Sequence, residues 1–213
     1  MFRNEFIEAC KTGDMDIVKY FIEELDVSIT EDVLILSVGR TDVFKYLLDK
    51  VENINNYLNV LPAAIKYNNI EAIILLVDKG VIIDRYSIMN ILTSSAPNAI
   101  RIMEYFGDHG ADYHASGDKY LEFAVRVGSL EKVKYLVEEQ GLDVSIDNNA
   151  PLNIACEHGY IDIVKYLVEH GANIYDGTKY APYAPMKRAL ATNNIDILEY
   201  LIDIHKEIKK NER

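Results

Sequence analysis

One short phrase recurs along the whole of this chain. It reads DIVKYF at 16–21, DVFKYL at 42–47, EKVKYL at 131–136, DIVKYL at 162–167 and DILEYL at 196–201. Two worn copies, EAIILL from Glu71 and RIMEYF from Arg101, fill the middle. Their anchor residues are Tyr20, Tyr46, Leu75, Tyr105, Tyr135, Tyr166 and Tyr200, spaced by 26, 29, 30, 30, 31 and 34. A period in this range marks a solenoid, in which each unit buries its apolar face only by stacking on its neighbours. The expectation is one elongated all-α domain over 1–205 with about seven helix–turn–helix units. Residues 206–213 form a polar tail that continues the last helix.

The sixth unit shows the two helices most clearly. Leu152, Ala155 and Cys156 lie at i, i+3 and i+4, on one apolar face of a first helix that opens on Pro151. Ile163, Val164, Leu167 and Val168 repeat the periodicity in a second helix that Gly171 closes. Neither helix is long enough to persist alone in water. Seven residues before each anchor stand Gly13, Gly39, Asn68, Asn98, Gly128, Gly159 and Asn193. Gly and Asn are the residues that most readily take left-handed backbone, so this series predicts the turn between the helices. Four before the anchor, six of seven residues are acidic, which suits the start of a second helix. Eleven before it stand Ala9, Ile35, Ala64, Ser94, Ala124, Ala155 and Ala189, a position for close helix approach. Arg101 and the turn-prone run Thr93 to Pro97 single out the fourth unit as the irregular one. The second helix of the seventh unit, with no Gly or Pro after Ile195, is expected to outrun its counterparts.

Charge and composition narrow the partners. The net charge of −12 argues against nucleic acid and against an anionic membrane, because phosphate contacts need a basic patch. No apolar run approaches the length that spans a bilayer. The chain opens without an apolar leader segment, holds two cysteines and lacks a glycosylation sequon, so a cytoplasmic setting is expected. Cys10 and Cys156 follow Ala9 and Ala155 at equivalent positions and read as small core residues. No phosphate loop, dinucleotide fingerprint, zinc-spaced set or nucleophile elbow is present, so neither cofactor nor catalytic residue is assigned.

Residues 151–155, Gly159, the phrase at 162–167 and Gly171-Ala172-Asn173 together resemble the ankyrin repeat. Gly110-Ala111-Asp112 and Gly141-Leu142-Asp143 carry the same tail. The resemblance covers 2–205 and implies paired antiparallel helices, hairpin-like loops along one edge, protein binding and no catalysis. The usual threonine and histidine around the leading proline are missing, with Ala150 and Asn153 in their place, so weaker loop hydrogen bonding is expected. The recurrent IVKYL phrases and Tyr- and Asn-rich style resemble the divergent ankyrin proteins encoded by giant DNA viruses of amoebae. That likeness implies a host protein as partner.

Six tyrosines, Tyr57, Tyr86, Tyr113, Tyr175, Tyr180 and Tyr183, lie outside the periodic cores, in the projecting loops. Loops on rigid scaffolds carry binding residues, and tyrosine is enriched at interface hot spots. The candidate binding set is Tyr86, Tyr113, His114, Asp147, Tyr175, Asp176, Tyr180 and Tyr183. The acidic body favours a partner with a basic or mixed-charge patch. Two other readings stand beside this one: a self-associating structural scaffold, and an enzyme or enzyme subunit with an unrecognised site. On the binding reading, a Tyr113→Ala/Tyr175→Ala variant keeps its fold and binds more than tenfold more weakly.

Overall fold

A computed structural model of the chain describes residues 3–115, 117, 119–175 and 183–211. Among them are fourteen α-helices and no strand. They form seven helix–turn–helix pairs, an all-α ankyrin-like repeat, packed in two compact units, Met1–Ala111 and Asp112–Arg213. The first unit holds α1 (Arg3–Thr12), α2 (Met15–Glu23), α3 (Glu31–Ser37), α4 (Thr41–Asp49), α5 (Val60–Lys66), α6 (Ile70–Asp78), α7 (Arg85–Thr93) and α8 (Ala99–Asp108). The second holds α9 (Lys119–Arg126), α10 (Leu130–Lys134), α11 (Ile146–His158), α12 (Ile161–Glu169), α13 (Ala184–Ala191) and α14 (Ile195–Asn211). Tyr135–Glu139 continues α10 as a π-helical turn.

Each unit is two layers of helices. First helices pack on first helices, α1 on α3, α3 on α5 and α5 on α7, and likewise α9 on α11 and α11 on α13. Second helices form the other layer, α2 on α4 and α4 on α6, then α10 on α12 and α12 on α14. The small-residue position lies between layers: Ala64, Ala124, Ala155 and Ala189 are fully buried. Leu47, Leu76, Leu136, Leu167 and Leu201, each next to an anchor, are also fully buried. The expected acids occupy the first turns of α2, α4, α6, α10, α12 and α14. The last helix has 17 residues against nine for α12, as the unbroken pattern after Ile195 predicts.

The turns differ in part from expectation. Gly13, Asn68, Gly128, Gly159 and Asn193 have positive φ, but Gly39 does not and Asn98 has φ −99°. At Gly39 the chain closes instead through the Arg40 N–H, which donates to the Ser37 carbonyl at 2.7 Å. In the fourth pair α7 stops at Thr93, Ser94 is extended at ψ 141°, and Asn98 precedes α8 as its N-cap residue. Ser94 is therefore outside the helix whose close-approach position it was expected to fill.

The residue after the turn ties one repeat to the preceding one. Arg40 Nε donates to the Lys11 carbonyl at 2.9 Å, and Asn69 Nδ2 to that of Val38 at 2.6 Å. Asn194 Nδ2 donates to the Cys156 and Glu157 carbonyls at 2.8 and 3.3 Å. Tyr160 Oη approaches the Arg126 carbonyl at 3.5 Å. Three chemically different side chains thus satisfy carbonyls that a helix C-terminus leaves without partners. They also pack over the earlier turn: a Cβ on Gly128 would lie 2.8 Å from Tyr160, and one on Gly159 would lie 2.9 Å from Asn194.

On the second-helix layer two of the anchor tyrosines, Tyr46 and Tyr166, reach carboxylates. Tyr46 Oη donates to Glu23 at 2.8 Å and Tyr166 Oη to Glu138 at 3.0 Å, each acid belonging to the previous repeat. Burial and then Glu23 push the Tyr46 phenol up to about 12. Lysines lie over the Tyr46, Tyr166 and Tyr200 rings at 5.4, 5.7 and 5.9 Å from the centroids. Tyr20, in the first of these repeats, is 56% exposed.

Two predictions follow from the turns and the buried thiols. Gly159 and Gly171 both have positive φ, so Ala at either pays the left-handed penalty of about 1–2 kcal/mol. Only Gly159 also has the Asn194 side chain in the way, since no atom lies within 4 Å of a Cβ on Gly171. Gly159→Ala should lower the urea-unfolding free energy clearly more than Gly171→Ala, and equal losses would contradict the packed turn. Burial pushes the Cys10 thiol up to about 11 and, against the opposing Arg188, that of Cys156 to about 12. The unfolded chain sheds these protons first, from about pH 8.5, so the stability they contribute is complete below that and lost as pH rises toward 11–12. Between pH 8.5 and 10 a Cys10→Ala/Cys156→Ala variant should lose stability less steeply than wild type. An identical pH slope would contradict this.

Candidate functional site

The loops between repeats are held without the missing threonine and histidine. Asn53, Asp112, Asp143 and Asn173 each accept, through Oδ1, from the backbone N–H two residues on, at 2.8–3.0 Å. These Asx-turns supply a local stiffening that short polar side chains give cheaply. Loop-to-loop bonds add to it. Asn55 bridges to the next loop, donating to the Gly80 carbonyl at 3.0 Å and accepting from the Ile82 N–H at 3.1 Å. Asn149, one of three consecutive left-handed residues with Asp147 and Asn148, accepts from the Asn173 N–H at 2.8 Å.

The candidate residues do not share one surface. Tyr113 is a correction: it is 1% exposed, edge-on to the Tyr120 and Tyr135 rings at 6.4 and 5.8 Å, so its ring faces the core and not a partner. Its phenol is held well above the ordinary range by burial and by Tyr135. The sequence carried the signal, because Tyr113 follows Gly-Ala-Asp where Val144 and Ile174 follow Gly-Leu-Asp and Gly-Ala-Asn, and both of those are buried too. His114 stays exposed, with Nε2 2.9 Å from the Gln140 carbonyl, and exposed Asp147 lies 3.9 Å from Lys119. Tyr175 is half-buried and pairs Oη with His205 Nδ1 at 2.8 Å, while Tyr183 meets both rings edge-on. Asp176 and Tyr180 lie outside the described residues.

Tyr86 is the candidate residue that borders an open apolar cavity. That cavity, of about 690 Å³, lies in the first unit between the loops before α5 and α7. Leu58, Ile82 and Tyr86 at its rim are 78%, 69% and 61% exposed, and Leu61 and Val81 extend the apolar lining. The Arg85 guanidinium lies 5.1 Å from the Tyr86 ring centroid. A second cavity of about 630 Å³ runs on toward the turn after α7, past Ile65, Lys66, Thr93 and Pro97. The two share Pro62 and Asn90, so they form one groove along the facing sides of α5 and α7. Its turn-side half borders the five-residue Ser94–Asn98 detour, where the other pairs turn in two or three residues. The detour was legible in the sequence; the apolar rim was not, because Leu58 and Ile82 are single residues in loops with no periodicity to place them.

A family model described as ankyrin repeats (3 copies) matches residues 6–87 and 121–213. The chain belongs to the ankyrin-repeat family. This ankyrin-repeat chain is 27% identical over 193 residues to alpha-latrocrustotoxin-Lt1a of Latrodectus tredecimguttatus, across 78% of the chain and 12% of that much longer protein. The ankyrin repeat domain of human ASB11 shares its fold, with a TM-score of 0.60, 22% identity and 83% of each chain covered. Ankyrin-repeat proteins are characteristically non-catalytic scaffolds. Among the described residues no group of three or more His, Cys, Asp or Glu is placed to hold a metal ion.

The burial of Tyr113 replaces the expectation for the Tyr113→Ala/Tyr175→Ala variant. Removing a buried aromatic ring costs about 3–5 kcal/mol. Tyr113→Ala should therefore shift the urea midpoint strongly, and Tyr113→Phe far less. A Tyr113→Ala chain that unfolds like wild type would return the ring to the surface.

Proposed function

We propose that this chain is a non-enzymatic protein-binding module whose working surface is the α5–α7 groove with its loop rim. The observation that carries the reading is the cluster of Leu58, Ile82 and Tyr86, three largely exposed apolar side chains around one cavity. Covering such a side chain contributes about 1.5–3 kcal/mol before the costs of association. The surrounding helices and bonded loops hold it ready, which lowers the ordering cost of binding. The net charge of −12 favours a partner with a basic or mixed-charge surface, chiefly through encounter rate. The IVKYL style and two buried free thiols support the finer part of the proposal, a viral chain that engages a host protein in the cytoplasm.

The test compares wild type with an Ile82→Asp/Tyr86→Ala variant, both positions being exposed and outside the core. Partners captured by wild type are identified by mass spectrometry, and their affinities for both chains are measured by calorimetry. The variant should melt like wild type and bind more than tenfold more weakly, a loss above about 1.4 kcal/mol. Unchanged affinity for every captured partner would overturn the groove as the working surface.

A further inference from the structure

The groove has a polarity that narrows what fits it. Its loop end is apolar, with Leu58, Ile82 and Tyr86 around the cavity and Asp84 committed to capping α7 through the Ser87 N–H and hydroxyl at 2.9 and 2.8 Å. Midway, where the two cavities meet, stands exposed Asn90, whose carboxamide makes no hydrogen bond among the described residues. At the turn end stands exposed Lys66, which forms no ion pair among the described residues. Lys66 is in the last turn of α5, whose C-terminus carries only a partial negative charge of about half a unit. The N–H groups of Tyr67, Asn68 and Asn69 already bond the carbonyls of Ala63, Ile65 and Ala64 there. The full positive charge of Lys66 outweighs that remainder.

We propose that the groove takes an extended peptide segment of a protein partner, with apolar side chains at the loop end and an acidic side chain at Lys66. The inference rests on the groove being the binding surface. A carboxamide such as that of Asn90 offers one donor set and one acceptor, the complement of a peptide group, and so holds backbone without regard to sequence. The nine residues of α7 span about 13 Å, which an extended strand at about 3.3 Å per residue covers in roughly four residues. The acid therefore follows or precedes the apolar pair by about four positions. This acidic requirement is local to the groove and runs against the chain's overall charge, which makes it a specific expectation.

Random twelve-residue peptides displayed on phage are selected on the full chain and on its Lys66→Glu, Lys66→Ala, Asn90→Ala and Ile82→Asp variants. Enriched peptides are then labelled with fluorescein and measured by anisotropy. The wild-type selection should yield an apolar pair with Asp or Glu about four residues away. Replacing that acid by Ala should weaken binding to wild type about tenfold, yet change binding to Lys66→Ala or Lys66→Glu by less than twofold. Asn90→Ala should weaken all enriched peptides alike. Peptides lost on Ile82→Asp but indifferent to both Lys66 variants would overturn the acidic assignment and leave the groove reading standing. Peptides that bind Ile82→Asp as well as wild type would overturn the groove reading itself. Failure to enrich any peptide family would overturn the linear segment.

Discussion

Everything in this chain depends on each repeat being finished by its neighbour. Apart from α14 the helices are short, most of them five to ten residues and α11 broken near its start by left-handed Asp147, Asn148 and Asn149, too short to hold themselves in water. Their apolar faces are buried only because α3 packs on α1 and α5, or α11 on α9 and α13. The polar half of the same dependence sits at the turns. Arg40, Asn69 and Asn194 donate to carbonyls at the end of the preceding first helix. Gly128 and Gly159 leave room for the side chains that do so. The turn glycine is thus required twice, by its own φ and by the residue that lies over it.

The fold was legible because its determinants are periodic. Anchor, turn, acid and small-residue positions recur often enough that a chance match at one repeat is corrected by the others. The failures fell where a single residue had to be judged alone. Tyr113 lies outside the recurring phrases and so reads as a projecting loop residue, although its register with Val144 and Ile174 makes it core. The hydroxyls of Tyr46 and Tyr166 gave no sequence sign that they would meet carboxylates of the previous repeat, since that pairing depends on the three-dimensional offset between neighbouring repeats. Leu58 and Ile82 were invisible for the same reason. Exposure of an apolar loop residue is a property of what fails to cover it, and sequence shows only what is there.

The groove joins the two levels. The irregular fourth repeat, in which α7 ends early and Ser94 leaves the helix, borders the turn-side cavity. The loop before α5, with its short 3-10 turn at Ile54–Asn56, lifts Leu58 beside Ile82. Asn55 fixes both loops by bonding the second one at Gly80 and Ile82. A departure from the repeat pattern thus coincides with the surface that has most to gain from a partner. Local rules are expected to give way at functional sites, and the remaining repeats supply the rigidity against which such a departure is tolerated.

The central claim is that this groove is built and open before any partner arrives. Native-state hydrogen exchange of the free chain tests it most directly, by reading the amides of α5 and α7 against those of α4 and α6. The account predicts that central α5 and α7 amides exchange as slowly as those of α4 and α6, opening only with the whole first unit. Exchange of α5 and α7 at rates near those of the connecting loops would contradict it. The exposed Leu58, Ile82 and Tyr86 would then mark a loosely packed pair of helices instead of a preformed site.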